Sequence, residues 1–144
     1  GVGGVVRGQG LKYFMSKRDI VARRGIAELA LKGFFDIANR WELSRQDAMT
    51  LLGLTATSTY ANWKNGKTGT LPRDTLERIS YLLNIDDVFK NTHSNDPVNM
   101  LHTPHLELQH ESPLDRMLQG NVADIYVVRQ VVQQIIEVQQ EVHF

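Results

Sequence analysis

The sequence predicts an all-α protein: an N-terminal helix-turn-helix bundle followed by a small C-terminal helical domain. Three observations carry this. Apolar residues recur at spacings of three and four in the stretches 27–43, 73–83 and 122–142, the period of an amphipathic helix. Helix punctuation (Ser44, Gly53, Gly66, Pro72, Ser112-Pro113, Gly120) flanks those stretches. The run SRQDAMTLLGLTATSTYANWKNG, residues 44–66, reads as a short helix, a glycine turn and a second short helix ending on glycine. That is the layout of a helix-turn-helix, whose second helix enters the DNA major groove.

A first helix is expected over 27–43, after an interruption at Gly25. Leu31, Phe34, Ala38 and Trp41 fall on one of its faces. Ser44 fits an N-cap, with Asp47 three residues on in a weak variant of the capping box. The second helix is placed over 45–52, with Ala48, Leu51 and Leu52 inward, and Gly53 ends it because glycine takes positive φ at low cost. The third helix is placed over 57–65 and stops at Gly66. Tyr60 and Trp63 are expected inward with Ala56 as a neighbour. Pro72 suits the first turn of a fourth helix over 73–83, which carries Leu76, Ile79, Leu82 and Leu83.

From 86 to 111 the pattern is polar, with two prolines and no sustained period. It reads as a linker with one short helical turn. Order returns at Ser-Pro-Leu-Asp, 112–115, with a serine cap, proline at the first helical position and aspartate at the third. That helix ends near Gly120, and Asn121 caps the last one. There Ile125, Val128, Val132, Ile135 and Val142 follow 3–4 spacing with Gln139 as the polar member. Val127, Val131 and Val138 form a second apolar edge. Such a helix is too apolar to stand alone. The expected organisation is a basic extension over 1–26, the helix-turn-helix domain over 27–85, a linker over 86–111 and C-terminal helices over 112–144. The start, GVGGVVRGQG, is expected to lie outside the fold.

Composition narrows the function. Hydrophobic content of 42% suits a packed core. There is no cysteine, so disulfides, thiolate catalysis and cysteine-based zinc sites are excluded, which is compatible with a cytoplasmic location. No apolar run approaches the roughly 20 residues of a membrane span. Net charge is zero but unevenly spread. Residues 1–40 hold eight Lys/Arg against three Asp/Glu, residues 41–90 hold six of each, and residues 91–144 hold two against seven. A basic front suits phosphates and an acidic rear suits protein.

The third helix carries the most specific chemistry. With Tyr60 and Trp63 inward, Ser58, Asn62 and Asn65 share another face, with Thr59 beside them. Asparagine pairs bidentately with adenine and serine is a permissive groove donor. Lys64 and Lys67 are placed to reach phosphates, which position a protein without specifying sequence. The helix is about 13 Å long, enough to enter the groove. A plain αα-hairpin is the alternative. His102 and His105 form H-x-x-H, with His93 and His110 nearby. They sit in the polar segment without the helical arrangement of a zinc protease and read as solvated. No serine sits in G-x-S-x-G, and GVGG lacks the lysine and strand-turn-helix setting of a phosphate loop, so no enzyme is expected. On the last helix, Tyr126 and Arg129 are residue types favoured as interface anchors.

Three segments together resemble a known family. They are ALKGFFDIANRWELS at 30–44, the helix-turn-helix through TLPRDTLERISYLLNI at 70–85, and SPLDRMLQGNVADIYVVRQ at 112–130. They are similar to the MbcA/ParS/Xre antitoxins, over residues 28–85 and 112–133. The resemblance implies a type II antitoxin with an Xre-like front and a small toxin-binding rear. Its partner would be a cognate RES-domain toxin that breaks down NAD. The antitoxin would obstruct the toxin's active-site entrance, and the complex would repress its own promoter by binding operator DNA, within a homodimer. The toxin-facing residues implied are Gln119, Gly120 and Asn121 in the turn, with Arg116, Asp124, Tyr126 and Arg129 around it. The NAD chemistry would belong to the partner, so this chain needs no cofactor. The alternative reading is a stand-alone dimeric transcriptional regulator whose last helix only dimerises.

Overall fold

The computed structural model describes residue 22, residues 24–92 and residues 95–142, with backbone alone for 139–142. The expected basic extension lies almost wholly outside these residues, as do His93 and the side chains of Gln139 and Val142. Among the described residues the fold is all-helical, with seven α-helices and one 3-10 turn.

Helix α1 spans 24–40 and so runs through Gly25. The expected interruption there does not occur. A lone glycine costs a helix about 1 kcal/mol without breaking it. Ala27, Leu31, Phe34, Ile37 and Trp41 are buried, while Ala38 is half-buried. The buried face thus centres on Ile37 rather than Ala38, both of which lie within one turn of Phe34. The helix ends earlier than expected because Glu42 takes a left-handed φ of 53°. Trp41 N–H then bonds to Ile37 O at 2.8 Å and Leu43 N–H to Ala38 O at 3.0 Å.

Helix α2 (Arg45–Leu52) starts on Ser44, whose Oγ accepts from Asp47 N–H at 3.1 Å. It stops at Gly53, left-handed at φ 75°, whose N–H reaches the Met49 and Thr50 carbonyls. Helix α3 (Thr57–Lys64) buries Tyr60 and Trp63. Ala56 is exposed and is the N-cap, ahead of the buried turn.

Helix α4 (Arg73–Lys90) continues well past the expected end at Leu83. Ile79, Leu82, Ile85 and Phe89 extend one buried stripe along it. Leu76 and Leu83, expected inward, are half-buried, and Leu83 covers Gly33 of α1. Asp86 is buried yet paired. Arg40 and Lys90 hold one carboxylate oxygen, and Trp41 Nε1 donates to the other at 3.1 Å. A buried carboxylate needs such partners.

The segment 86–111 does not behave as the linker the sequence suggested. Beyond the end of α4 it holds helix α5 (Pro97–His102), capped by Asp96, and the 3-10 turn Leu106–Leu108. A backbone bridge joins His105 to Glu111. Leu101 and Leu108 are both fully buried. Each short piece contributes one leucine to the core, so no helical period ever develops. Helix α6 (Pro113–Met117) has Ser112 as its cap, and α7 (Val122–Val142) follows Gly120. Buried residues of α1–α4 and of α5–α7 form one hydrophobic cluster, in which α7 packs along α4 and contributes Ile125, Val128, Val131 and Val132.

Candidate functional site

Two surfaces present the residue types singled out from sequence. The first is the outer face of α3. Tyr60 and Trp63 anchor the helix, and the Phe35 ring meets Tyr60 edge-on at 5.6 Å. Burial pushes the Tyr60 phenol above its ordinary value, with the Arg45 charge pulling the other way. Ser58, Asn62, Lys64, Asn65 and Lys67 are exposed, and Thr59 is half-buried. Gly66 takes φ 85° and closes the helix, and Lys67 N–H bonds to Asn62 O at 2.8 Å. The face is therefore held from below and open above, the arrangement needed to enter a groove.

The second surface is the α6–α7 turn. Asp124 is buried: one of its oxygens accepts from Arg116 Nε at 3.0 Å and the other from Asn121 N–H at 3.2 Å. The latter bond caps α7 from its third residue, rather than through the Asn121 side chain expected from sequence. Gln119 Nε2 donates to Glu111 Oε2 at 3.1 Å. Gly120 needs its glycine, since it sits at φ 96°. Tyr126 is exposed and meets Tyr81 edge-on at 5.4 Å. Arg129 donates from Nε to Asn84 Oδ1 at 2.8 Å and lies over the Tyr81 ring. Of the seven residues expected here, Gln119, Asn121 and Tyr126 are exposed, Arg116, Gly120 and Arg129 are half-buried, and Asp124 faces inward. Arg116 and Asp124 hold the turn in shape.

Arg78 links the end of α2 to the α6–α7 turn, and nothing in the sequence marks it beyond the i,i+4 spacing from Asp74. It is buried on α4. Its Nε donates to Asp74 Oδ2 at 2.7 Å and its Nη2 to Gly120 O at 2.8 Å. Its Nη1 makes longer contacts, 3.4 Å to Thr50 O and 3.5 Å to Leu51 O. Those carbonyls belong to the last turn of α2, where a cation is favoured by the helix dipole.

Among the described residues no group of three or more His, Cys, Asp or Glu is arranged to hold a metal ion. No described helix is long and apolar enough to cross a membrane.

Residues 22–84 match the family described as the antitoxin Xre-like helix-turn-helix domain. The chain is 43% identical over 102 residues to a protein of Sinorhizobium fredii (strain NBRC 101917 / NGR234) named uncharacterized protein y4oB. That match spans 69% of this chain and 78% of the relative. No solved structure gives a significant match.

Proposed function

We propose that the chain, whose residues 22–84 match the antitoxin Xre-like helix-turn-helix domain, is a type II antitoxin that neutralises a RES-domain, NAD-degrading toxin and represses its own operon. The observation that carries this reading is the pairing, on one continuous core, of the open α3 face with the shaped α6–α7 turn.

In the DNA-bound state α3 lies in the major groove. Asn62 is the base reader, through its bidentate fit to adenine, with Ser58, Thr59 and Asn65 as flanking contacts. Lys64 and Lys67 meet phosphates and fix the register. Net charge is zero, so affinity is modest, depends on these few cations and on dimerisation, and falls with salt. In the toxin complex the tip Gln119–Gly120–Asn121, with Tyr126 and Arg129 beside it, covers the entrance to the toxin's active site. The turn is held by Asp124, Arg116 and Arg78, so little ordering is needed on docking. The NAD chemistry belongs to the toxin, and this chain contributes obstruction.

Copurification of the full chain with the product of the adjacent gene tests this reading. A stable complex containing a RES-domain protein supports it. An isolated gene, and a chain that binds its operator alone and recovers no such partner, overturns it in favour of a stand-alone dimeric regulator. One observation favours that second reading: Val138 near the end of α7 is exposed, with Ile135 and Ile136 half-buried before it.

A further inference from the structure

The α2–α3 turn and the α6–α7 turn meet at one guanidinium. Arg78 donates to Thr50 and Leu51 carbonyls on one side and to the Gly120 carbonyl on the other. The fit around it is tight. A Cβ at Gly53 would lie 2.9 Å from Arg78 Nε and 3.0 Å from Cζ. A Cβ at Gly120 would lie 3.9 Å from Thr50 Cγ2. Thr50 therefore touches the junction through both its carbonyl and its methyl. Gly53 at φ 75° and Gly120 at φ 96° both face it.

We propose that Arg78 is a positioning residue that couples the two turns, so that displacing the α6–α7 turn loosens the α2–α3 turn, and the reverse. The physical basis is the planar fork of arginine, whose donors are fixed relative to one another. Moving the Gly120 carbonyl either breaks the Nη2 bond or rotates the guanidinium. Rotation withdraws Nη1 from the end of α2, directly before the turn that presents α3. Coupling between two sites is reciprocal by thermodynamic necessity. Its biological meaning, that protein docked at one turn alters DNA binding at the other, rests on the function proposed above; the mechanical coupling does not.

The test is a double-mutant cycle on the full chain, read by hydrogen exchange at the Gly53 and Leu54 amides. These bond to Thr50 O at 3.0 Å and Met49 O at 2.8 Å. Gly120→Ala strains the α6–α7 turn. With Arg78 present it speeds exchange at both amides by about tenfold, within the usual range of coupling between sites. In an Arg78→Lys background the same change has less than about a twofold effect, because one ammonium is a point donor that does not span the two turns. Amides of α5 serve as the control for general destabilisation. A merely structural Arg78 leaves the Gly120→Ala effect equal in both backgrounds, and that result overturns the proposal. So does exchange at Gly53 and Leu54 that ignores Gly120→Ala when Arg78 is intact. Gly120→Asn, better tolerated at positive φ, replaces Gly120→Ala if that variant does not fold. Failure to bind operator DNA, seen in a separate gel shift, counts against the proposed function and leaves this cycle intact.

Discussion

The α3 face and the α6–α7 turn present polar side chains in opposite ways. On α3 and just past its end, Ser58, Asn62, Lys64, Asn65 and Lys67 are exposed, and the described residues give their side chains no hydrogen bond or ion pair. At the α6–α7 turn nearly every polar group is already engaged: Arg116 with Asp124, Gln119 with Glu111, Arg129 with Asn84, and the Gly120 carbonyl with Arg78. The first surface is a set of free groups on a fixed helix, suited to reading a ligand whose own edges supply the partners. The second is a shape fixed by internal bonds, suited to blocking. A substitution at α3 should therefore change binding and spare stability, whereas one at the turn should change stability first.

The largest effect expected is at Asp124. Asp124→Ala strands Arg116 and the Asn121 amide, and should cost about 2–3 kcal/mol of stability by urea unfolding. A loss below about 0.5 kcal/mol would mean that the turn is not held by this carboxylate. Asn62→Ala should weaken operator discrimination by about 1–3 kcal/mol at a single base pair. The same variant should unfold within about 0.5 kcal/mol of the parent chain, since exposed sites away from special features tolerate change. Discrimination that survives would remove Asn62 from the readout set.

Lys64→Ala and Lys67→Ala should weaken binding to all sequences alike and flatten the salt slope by about 1 for each lysine. An unchanged slope would place them away from phosphates. The smallest effect expected is on the fold at Tyr126. Tyr126→Ala gives up the edge-on contact with Tyr81 and should cost about 0.5–1 kcal/mol of stability, while its effect on toxin affinity should exceed that. If affinity moves no more than stability does, Tyr126 lies outside the docking face.

Local chemistry made much of this molecule legible in the sequence. Ser44, Gly53, Ser112 and Pro113 mark helix ends through neighbours three or four residues away, and each stands where spacing put it. The outward row on α3 follows once Tyr60 and Trp63 are assigned inward. Contacts distant in sequence were not legible. Asp86 is buried by Arg40 and Trp41, more than forty residues earlier, so a polar segment that looked like the start of a linker belongs to the core. Leu101 and Leu108 are buried from pieces too short to show a period. Asp124 reads as a surface charge until Arg116 and the Asn121 amide are seen to close on it. Arg78 meets Thr50 and Gly120 from 28 and 42 residues away, separations that no helical spacing encodes.

The measurement that bears most directly on the central claim is cellular NAD in cells induced to make the adjacent gene's product, with and without this chain. The account predicts that NAD collapses with the toxin alone and is held near its starting level when the chain is co-expressed. NAD falling equally, with equal loss of viability in both, would contradict it.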